Sequence, residues 1–250
     1  MPENSNIFVC SDNKEAFSLV NGMGMKNCRY YSLNETKNIA YEEGICFNFN
    51  GKIIKTNLVG EHNISNILGA INICKGLGIE EEVIIRAIGE FKGVKKRQEM
   101  LFEEENNGIK IIEDFAHHPS EVRETIKAIK GKYKNSRVWA IYEPHTYSSF
   151  DPEFIKKYSG VFDDADIAVL YKTEHKKAKP TVAEVKDYLP YVPEALYFED
   201  SKVMIKHLMD NKNGGDIFLF MTSGSFDGAI DQFIENFKEI IVKNKKIINN

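Results

Sequence analysis

The sequence predicts an α/β protein in two parts, the second a Rossmann-like open sheet, and three observations carry that prediction. From residue 99 onward, apolar runs of strand length alternate with amphipathic stretches of helix length, the pattern of parallel strands joined by helical crossovers. Up to about residue 98 the pattern differs, with short strands, a hairpin signal and then two consecutive helices. At 250 residues and 42% apolar, the chain has material for one substantial core or two smaller ones.

The first part opens with a strand at Ile7-Phe8-Val9-Cys10 and a helix from Lys14 to Val20, with Ser11 as its cap. Ile45 to Phe49 and Ile53 to Lys55 flank Asn50-Gly51, a dipeptide suited to a type I′ turn. Between Glu61 and Leu77, Ile64, Ile67, Leu68, Ile71 and Cys74 recur at helical spacing, and Gly78 ends that helix. A second helix follows from Glu80 to Ile88. In the second part, Met100-Leu101-Phe102 and Ile109 to Ile112 flank Asn106-Asn107-Gly108, another hairpin signal. Helices at 120–130, 151–160, 181–189, 201–210 and 229–242 then alternate with strands at 137–143, 166–171, 195–199 and 216–222. The Lys/Asn-rich tail from Lys243 is expected to fray.

Charge and composition argue against several classes of function. A net charge of −4, with acids and bases interspersed, gives no nucleic-acid footprint. The longest basic run, Lys92 to Arg97, suits a single phosphorylated ligand. No apolar run has membrane-spanning length, and the start MPENSNIF lacks the charged-then-apolar pattern of a secretion signal. The four cysteines, at 10, 28, 46 and 74, have no metal-type spacing and read as reduced thiols of a cytoplasmic protein.

The chemistry concentrates in Glu113-Asp114-Phe115-Ala116-His117-His118-Pro119-Ser120-Glu121, between a strand's carboxyl end and a helix's amino end. In α/β folds that crevice receives ligands, and the helix start offers unpaired N–H groups to anions. An aspartate beside two imidazoles can bind phosphate or carboxylate, move protons near neutral pH, or ligate a metal; the plain alternative is a capped turn with solvated histidines. Two further turns, Glu143–Ser149 and Thr222–Gly228, also follow strands. The three face one crevice if their strands are neighbours.

Five stretches carry a family resemblance: GEHNISNILGAINICKGLGI (60–79), FKGVKKRQE (91–99), EDFAHHPSEV (113–122), AIYEPHTYSS (140–149) and FLFMTSGSFDG (218–228). In this order they are similar to motifs of the Mur ligases, ATP-dependent enzymes that join amino acids or peptides to UDP-N-acetylmuramic acid. The nearest likeness is to the subgroup acting on UDP-N-acetylmuramate itself, with the murein-recycling tripeptide ligase ahead. The resemblance implies that residues 1–98 are the end of a central ATP-binding domain and 99–250 a carboxyl-terminal domain. No G-x-x-x-x-G-K-[ST] phosphate loop occurs, so the chain reads as a fragment, inactive alone, whose missing amino-terminal half carries most of the Mg²⁺ site.

Residue roles follow from the same resemblance. Asp114 matches the aspartate that holds the ATP ribose, Arg97 the arginine that reaches ATP, and Asn63 and Asn66 the asparagines beside adenine. His117 and His118 would stabilise the transferring charge. Phe115, His145, Ser149, Ser223 and Ser225 fall on the side of the incoming amino acid or peptide. In the alanine-adding relatives an arginine near the end of the 143–149 loop holds the amino acid's carboxylate, and here Ser149 stands in that place. His145 leans the other way, toward alanine. Two rivals are a peptide- or nucleotide-binding module acting through a partner, and a metal-dependent hydrolase built on Asp114, His117, His118 and His145.

Overall fold

The structure is a computed structural model that describes residues 5–25, 27–41, 44–172 and 183–248, without the side chains of 243–248. The chain divides into two compact units, Met1–Gly93 and Val94–Asn250.

In the first unit, strands β1 (Ile7–Cys10) and β2 (Cys28–Tyr31) pair in parallel, joined by helix α1 (Lys14–Gly22). The cap of α1 is Asn13, whose side chain accepts from the Ala16 N–H at 2.9 Å, and not Ser11. Ser11 is two residues too early, and its hydroxyl donates to the Tyr31 carbonyl instead. Strands β3 (Thr36–Tyr41), β4 (Ile45–Phe49) and β5 (Lys52–Thr56) form an antiparallel sheet. The β4–β5 turn has φ of 50° at Asn50 and 80° at Gly51, the two positive angles a type I′ turn requires. Helices α2 (Glu61–Gly76) and α3 (Glu81–Glu90) follow. Ile64, Ile67, Leu68 and Ile71 of α2 pack with Ile45, Phe47, Phe49 and Ile54 to make the core of this unit. The four cysteines are all unpaired.

The second unit is a six-stranded sheet. Strands β6 (Glu99–Glu104) and β7 (Ile109–Asp114) form an antiparallel hairpin. Then come α4 (Pro119–Lys132), β8 (Val138–Glu143), the short α5 (Pro152–Ile155) and β9 (Ile167–Tyr171). Strand β10 (Leu196–Phe198), α6 (Ser201–Asn211), β11 (Ile217–Thr222) and α7 (Ala229–Ile248) complete it. The strand order is β10-β9-β8-β11-β7-β6, with every pairing parallel except β6 with β7.

Three expected helices differ. The helix at 151–160 is one α-turn continued by a 3₁₀ turn, Lys156–Tyr158. The helix expected at 181–189 is a 3₁₀ turn at Val185–Tyr188, and residues 181–182 lie outside the described ones. The last helix continues through Lys243 to Ile248 where fraying was expected, and 249–250 lie outside the described residues.

Alternation along the strands divides the core into two layers. Ile109, Ile111, Trp139, Ile141, Phe218 and Phe220 face Met204, Ile205 and Leu208 of α6 and Ile230, Phe233 and Phe237 of α7. The intervening Ile112, Ala140, Tyr142, Leu219 and Met221 are also buried, on the face that carries α4. Helices on both faces explain why β8 and β11 are buried along their whole length.

Candidate functional site

Strands β8, β11 and β7 are adjacent, so the turns after Glu143, Thr222 and Asp114 lie side by side at the carboxyl edge of the sheet. The helix after β7 covers one face and the helix after β11 the other. A crevice opens between strand ends wherever successive connections part in this way.

The segment before β6 is pinned into this edge. Lys96 and Gln98 both have positive φ, 57° and 49°. The Lys96 N–H donates to Glu99 Oε2 at 2.8 Å, and the Lys96 carbonyl accepts from the Phe115 N–H at 2.7 Å. Lys96 Nζ lies 3.1 Å from Glu113 Oε1 and 3.2 Å from the Gly224 carbonyl, tying β7 to the turn after β11. Alternate left-handed residues turn the intervening Arg97 outward, where its guanidinium lies 5.2 Å over the Phe115 ring. Lys95, Lys96, Arg97, Glu99, Glu113 and Phe115 line an open depression of about 560 Å³.

Asp114 is buried, with Oδ2 accepting from the Gln98 N–H (2.9 Å) and Oδ1 from the Ala116 N–H (2.7 Å). It therefore braces the two turns, and a ribose hydroxyl would have to share oxygens already engaged. The two histidines diverge. His118 caps α4, its Nδ1 accepting from the Ser120 N–H, and its ring packs edge-on against Phe154. His117 turns the other way: its ring meets Phe115 edge-on at 5.3 Å, and its carbonyl accepts from the Tyr142 and Tyr158 hydroxyls at 3.0 and 2.8 Å.

In the second turn His145 is exposed, whereas Ser149 is fully buried with its hydroxyl 2.7 Å from Thr146 Oγ1, leaving it no surface to offer a ligand. In the third turn Ser223 is part-buried and Ser225 exposed. Glu143, not singled out from sequence as a site residue, anchors this turn. Its Oε2 accepts from the Thr222 hydroxyl (2.6 Å) and the Phe226 N–H (2.9 Å). Those bonds hold Phe226 and Asp227 at φ of 50° and 52°, a left-handed pair costing on the order of 1–3 kcal/mol per residue. Asn63 and Asn66 belong to the first unit. Asn63 Nδ2 donates to the Val59 carbonyl and its Oδ1 accepts from Asn66 Nδ2. The described residues contain no group of three or more His, Cys, Asp or Glu placed to hold a metal ion, so the four-residue metal site is not assembled.

The Tyr171 hydroxyl donates to Asp227 Oδ2 at 2.9 Å, and burial first, then that carboxylate, push its pKa up to about 12. An unfolded tyrosine ionises near 10, so this contribution is complete below about pH 10 and lost as pH rises to 12. Burial likewise raises Tyr142, Tyr158 and Tyr188. Stability is expected to fall steeply above pH 10, and Tyr171→Phe to fall less steeply from a lower starting value. Parallel urea titrations at pH 9 and 11 test this; equal slopes in both proteins would refute it.

Fold and site together define a doubly wound α/β protein with its polar turns gathered at the strand ends. Residues 96–224 match the family described as Mur ligase, glutamate ligase domain, and since that is more than half of the 250 residues, the chain belongs to this family. It is 30% identical, over 96% of its length, to the UDP-N-acetylmuramate–L-alanine ligase of Caldanaerobacter subterraneus subsp. tengcongensis, covering 55% of that protein. The ligase of the same name from Acetivibrio thermocellus is 28% identical over 97% of the chain, with 54% of that protein covered. In fold, the chain is similar to the UDP-N-acetylmuramate-alanine ligase of Thermotoga maritima (TM-score 0.68, 22% identity, 84% of this chain and 48% of that one). It is also similar to a murein peptide ligase of Psychrobacter arcticus (TM-score 0.65, 19% identity, 94% and 52%). The chain spans about half the length of the curated relatives it matches. Among the described residues no helix is long and apolar enough to cross a membrane.

Proposed function

We propose that this chain supplies one part of an ATP-dependent ligase that joins UDP-N-acetylmuramate to L-alanine by way of an acyl phosphate. The observation that carries the reading is the basic depression at the strand ends in a member of this family, lined by Lys95, Lys96 and Arg97, with the Arg97 guanidinium over the Phe115 ring. Arg97 would reach the ATP phosphates with its planar fork, and Asp114 would hold the ribose edge while bracing the turn. Residues 1 to about 98 would close the central ATP-binding domain, with Asn63 and Asn66 set for adenine. The described residues assemble no Mg²⁺ ligand set. L-alanine as the amine follows the likeness to the UDP-N-acetylmuramate–L-alanine ligases of Caldanaerobacter and Acetivibrio.

A second reading, ligation of the murein tripeptide, is favoured by one feature. The Glu143–Ser149 loop contains no arginine or lysine, and Ser149 is buried where a cation would clasp the carboxylate of a single amino acid. Grafting this chain in place of the matched half of the Caldanaerobacter ligase separates the two. Phosphate release with ATP, UDP-N-acetylmuramate and L-alanine supports the first reading; release with the tripeptide alone replaces it with the second. A folded, ATP-binding chimera that ligates neither overturns both.

Nucleotide affinity of the 250 residues alone is expected to be weak, around millimolar, equivalent to about 4 kcal/mol. Arg97→Ala is expected to weaken it by about 1.5–3 kcal/mol, the worth of a charge-assisted hydrogen bond. Chemical-shift titration with ATP reads this, and an unchanged curve removes Arg97 from the site.

A further inference from the structure

We propose that Glu121 and His117 form a proton-accepting pair, His117 being the base for the incoming amine and Glu121 its positioning residue; this deepens the ligase reading and rests on it. His117 Nδ1 lies 2.9 Å from the Phe115 carbonyl oxygen, which can only accept, so the ring proton sits on Nδ1. Nε2 then carries the lone pair, and among the described residues it has no protein hydrogen-bond partner. The side chain is 28% exposed, beside the Phe115 ring that forms part of the depression.

His118 is locked in the opposite form. Its Nδ1 accepts from the Ser120 N–H at 3.4 Å and lies 2.9 Å from the Ser120 hydroxyl, which can donate to it as well, so its proton sits on Nε2, and its ring packs edge-on against Phe154. Of two adjacent imidazoles, one is therefore a lone-pair donor at the site and the other a helix cap.

Glu121 Oε2 lies 3.5 Å from His117 Nδ1 and accepts from the His117 N–H at 3.2 Å. A proton gained at Nε2 makes an imidazolium at the start of α4, where the helix dipole disfavours positive charge. The Glu121 carboxylate offsets that charge and fixes the ring, the role an acid plays behind a catalytic histidine. The other polar groups around His117 are the Tyr142 and Tyr158 hydroxyls on its carbonyl, with Arg97 stacked on the Phe115 ring. In the step itself the amine nitrogen bonds to the acyl carbon and its surplus proton passes to Nε2. The carbon–oxygen bond to phosphate then breaks, its electron pair leaving with the phosphate.

Long-range ¹H–¹⁵N correlation spectra of the labelled 250-residue chain test the geometry without any turnover, with His117→Gln and His118→Gln for assignment. Support is an Nδ1–H form for His117 and an Nε2–H form for His118; an Nε2–H His117 overturns the pair. Glu121→Gln is expected to move part of the His117 population to the Nε2–H form. An unchanged His117 reduces Glu121 to a helix cap and overturns its role. In the chimera, His117→Gly should lower kcat by about 100-fold or more, and added imidazole should restore part of it. Full activity in that variant overturns the base assignment. A wild-type chimera that ligates no amine counts against the ligase reading, whereas wrong tautomers count against the pair alone.

Discussion

Asp216→Ala is expected to destabilise the second unit by about 3 kcal/mol, the lower end of the cost of breaking a buried ion pair. Asp216 is 1% exposed and sits just before β11, at the edge of the sheet opposite the candidate site. Arg137 grips both of its oxygens, Nε to Oδ1 at 3.0 Å and Nη2 to Oδ2 at 2.7 Å. The Trp139 indole N–H and the Asn213 N–H also donate to Oδ2, at 3.0 and 2.8 Å. Removing the carboxylate strands a buried indole N–H and leaves a guanidinium stacked 5.1 Å over the Trp139 ring without its counter-charge. Arg137 keeps 32% of its side chain in water, which is why the lower end is expected. Trp139 is the single tryptophan of the chain, so its emission reports the transition directly. A loss of this size lowers the midpoint by roughly 6–12 °C in a unit of this length. Asp216→Asn, which keeps an acceptor, should lose less. Nucleotide affinity of Asp216→Ala at a temperature where it is folded should match wild type, and a midpoint unmoved by the substitution would show that the network contributes nothing.

What could be read from sequence depended on how local the determining signal was. The alternation after residue 99 predicted the parallel crossovers, because each strand and helix states its own period and short connections leave little topological choice. The Asn50-Gly51 turn was legible for the same reason. The cap of α1 was not: Ser11 and Asn13 are both capable residues, and the choice depends on where the chain leaves β1. The helices at 151–160 and 181–189 were overread because Tyr158 and Tyr188 are committed to the hydroxyl cluster around Tyr142, which pulls the chain into 3₁₀ turns. That cluster joins residues far apart in sequence, and no periodicity encodes it.

The site divided along the same line. That the three turns share a crevice was conditional on the strand order, and inserting β11 between β7 and β8 meets the condition. The segments were therefore legible but the partition of labour within them was not. His117 and His118 are neighbours in sequence and diverge in space, because the helix start turns one ring into the cap. Glu121 was legible in principle, since an acid three residues after a capping residue is the capping-box spacing. The contact between Glu143 and the turn after β11 was invisible, because a buried carboxylate shared by two strand ends leaves no mark on either strand alone.

That contact predicts the second large effect. Glu143→Ala leaves the buried Thr222 hydroxyl and Phe226 N–H without their acceptor, at about 1–3 kcal/mol each, so roughly 2–6 kcal/mol in all. It also releases the left-handed Phe226–Asp227 pair. Gly224 packs into the same contact: a Cβ there would lie 2.8 Å from Glu143 Oε2 and 2.8 Å from His145 Nδ1. His145 is exposed and can move aside, whereas the Glu143 oxygen is held from two directions. Gly224→Ala should therefore cost about 1–3 kcal/mol by overpacking. By contrast Gly131→Ala, inside α4 with open space around the new methyl, should stabilise by about 0.5–1 kcal/mol. The two costs share one atom and should not add. With Glu143 already alanine the obstructing oxygen is gone, so Gly224→Ala should cost little in that background, a coupling of about 1–3 kcal/mol. Urea unfolding of the two single variants and the double variant measures that coupling. Strict additivity would mean that Gly224 is glycine for a reason other than the approach of Glu143.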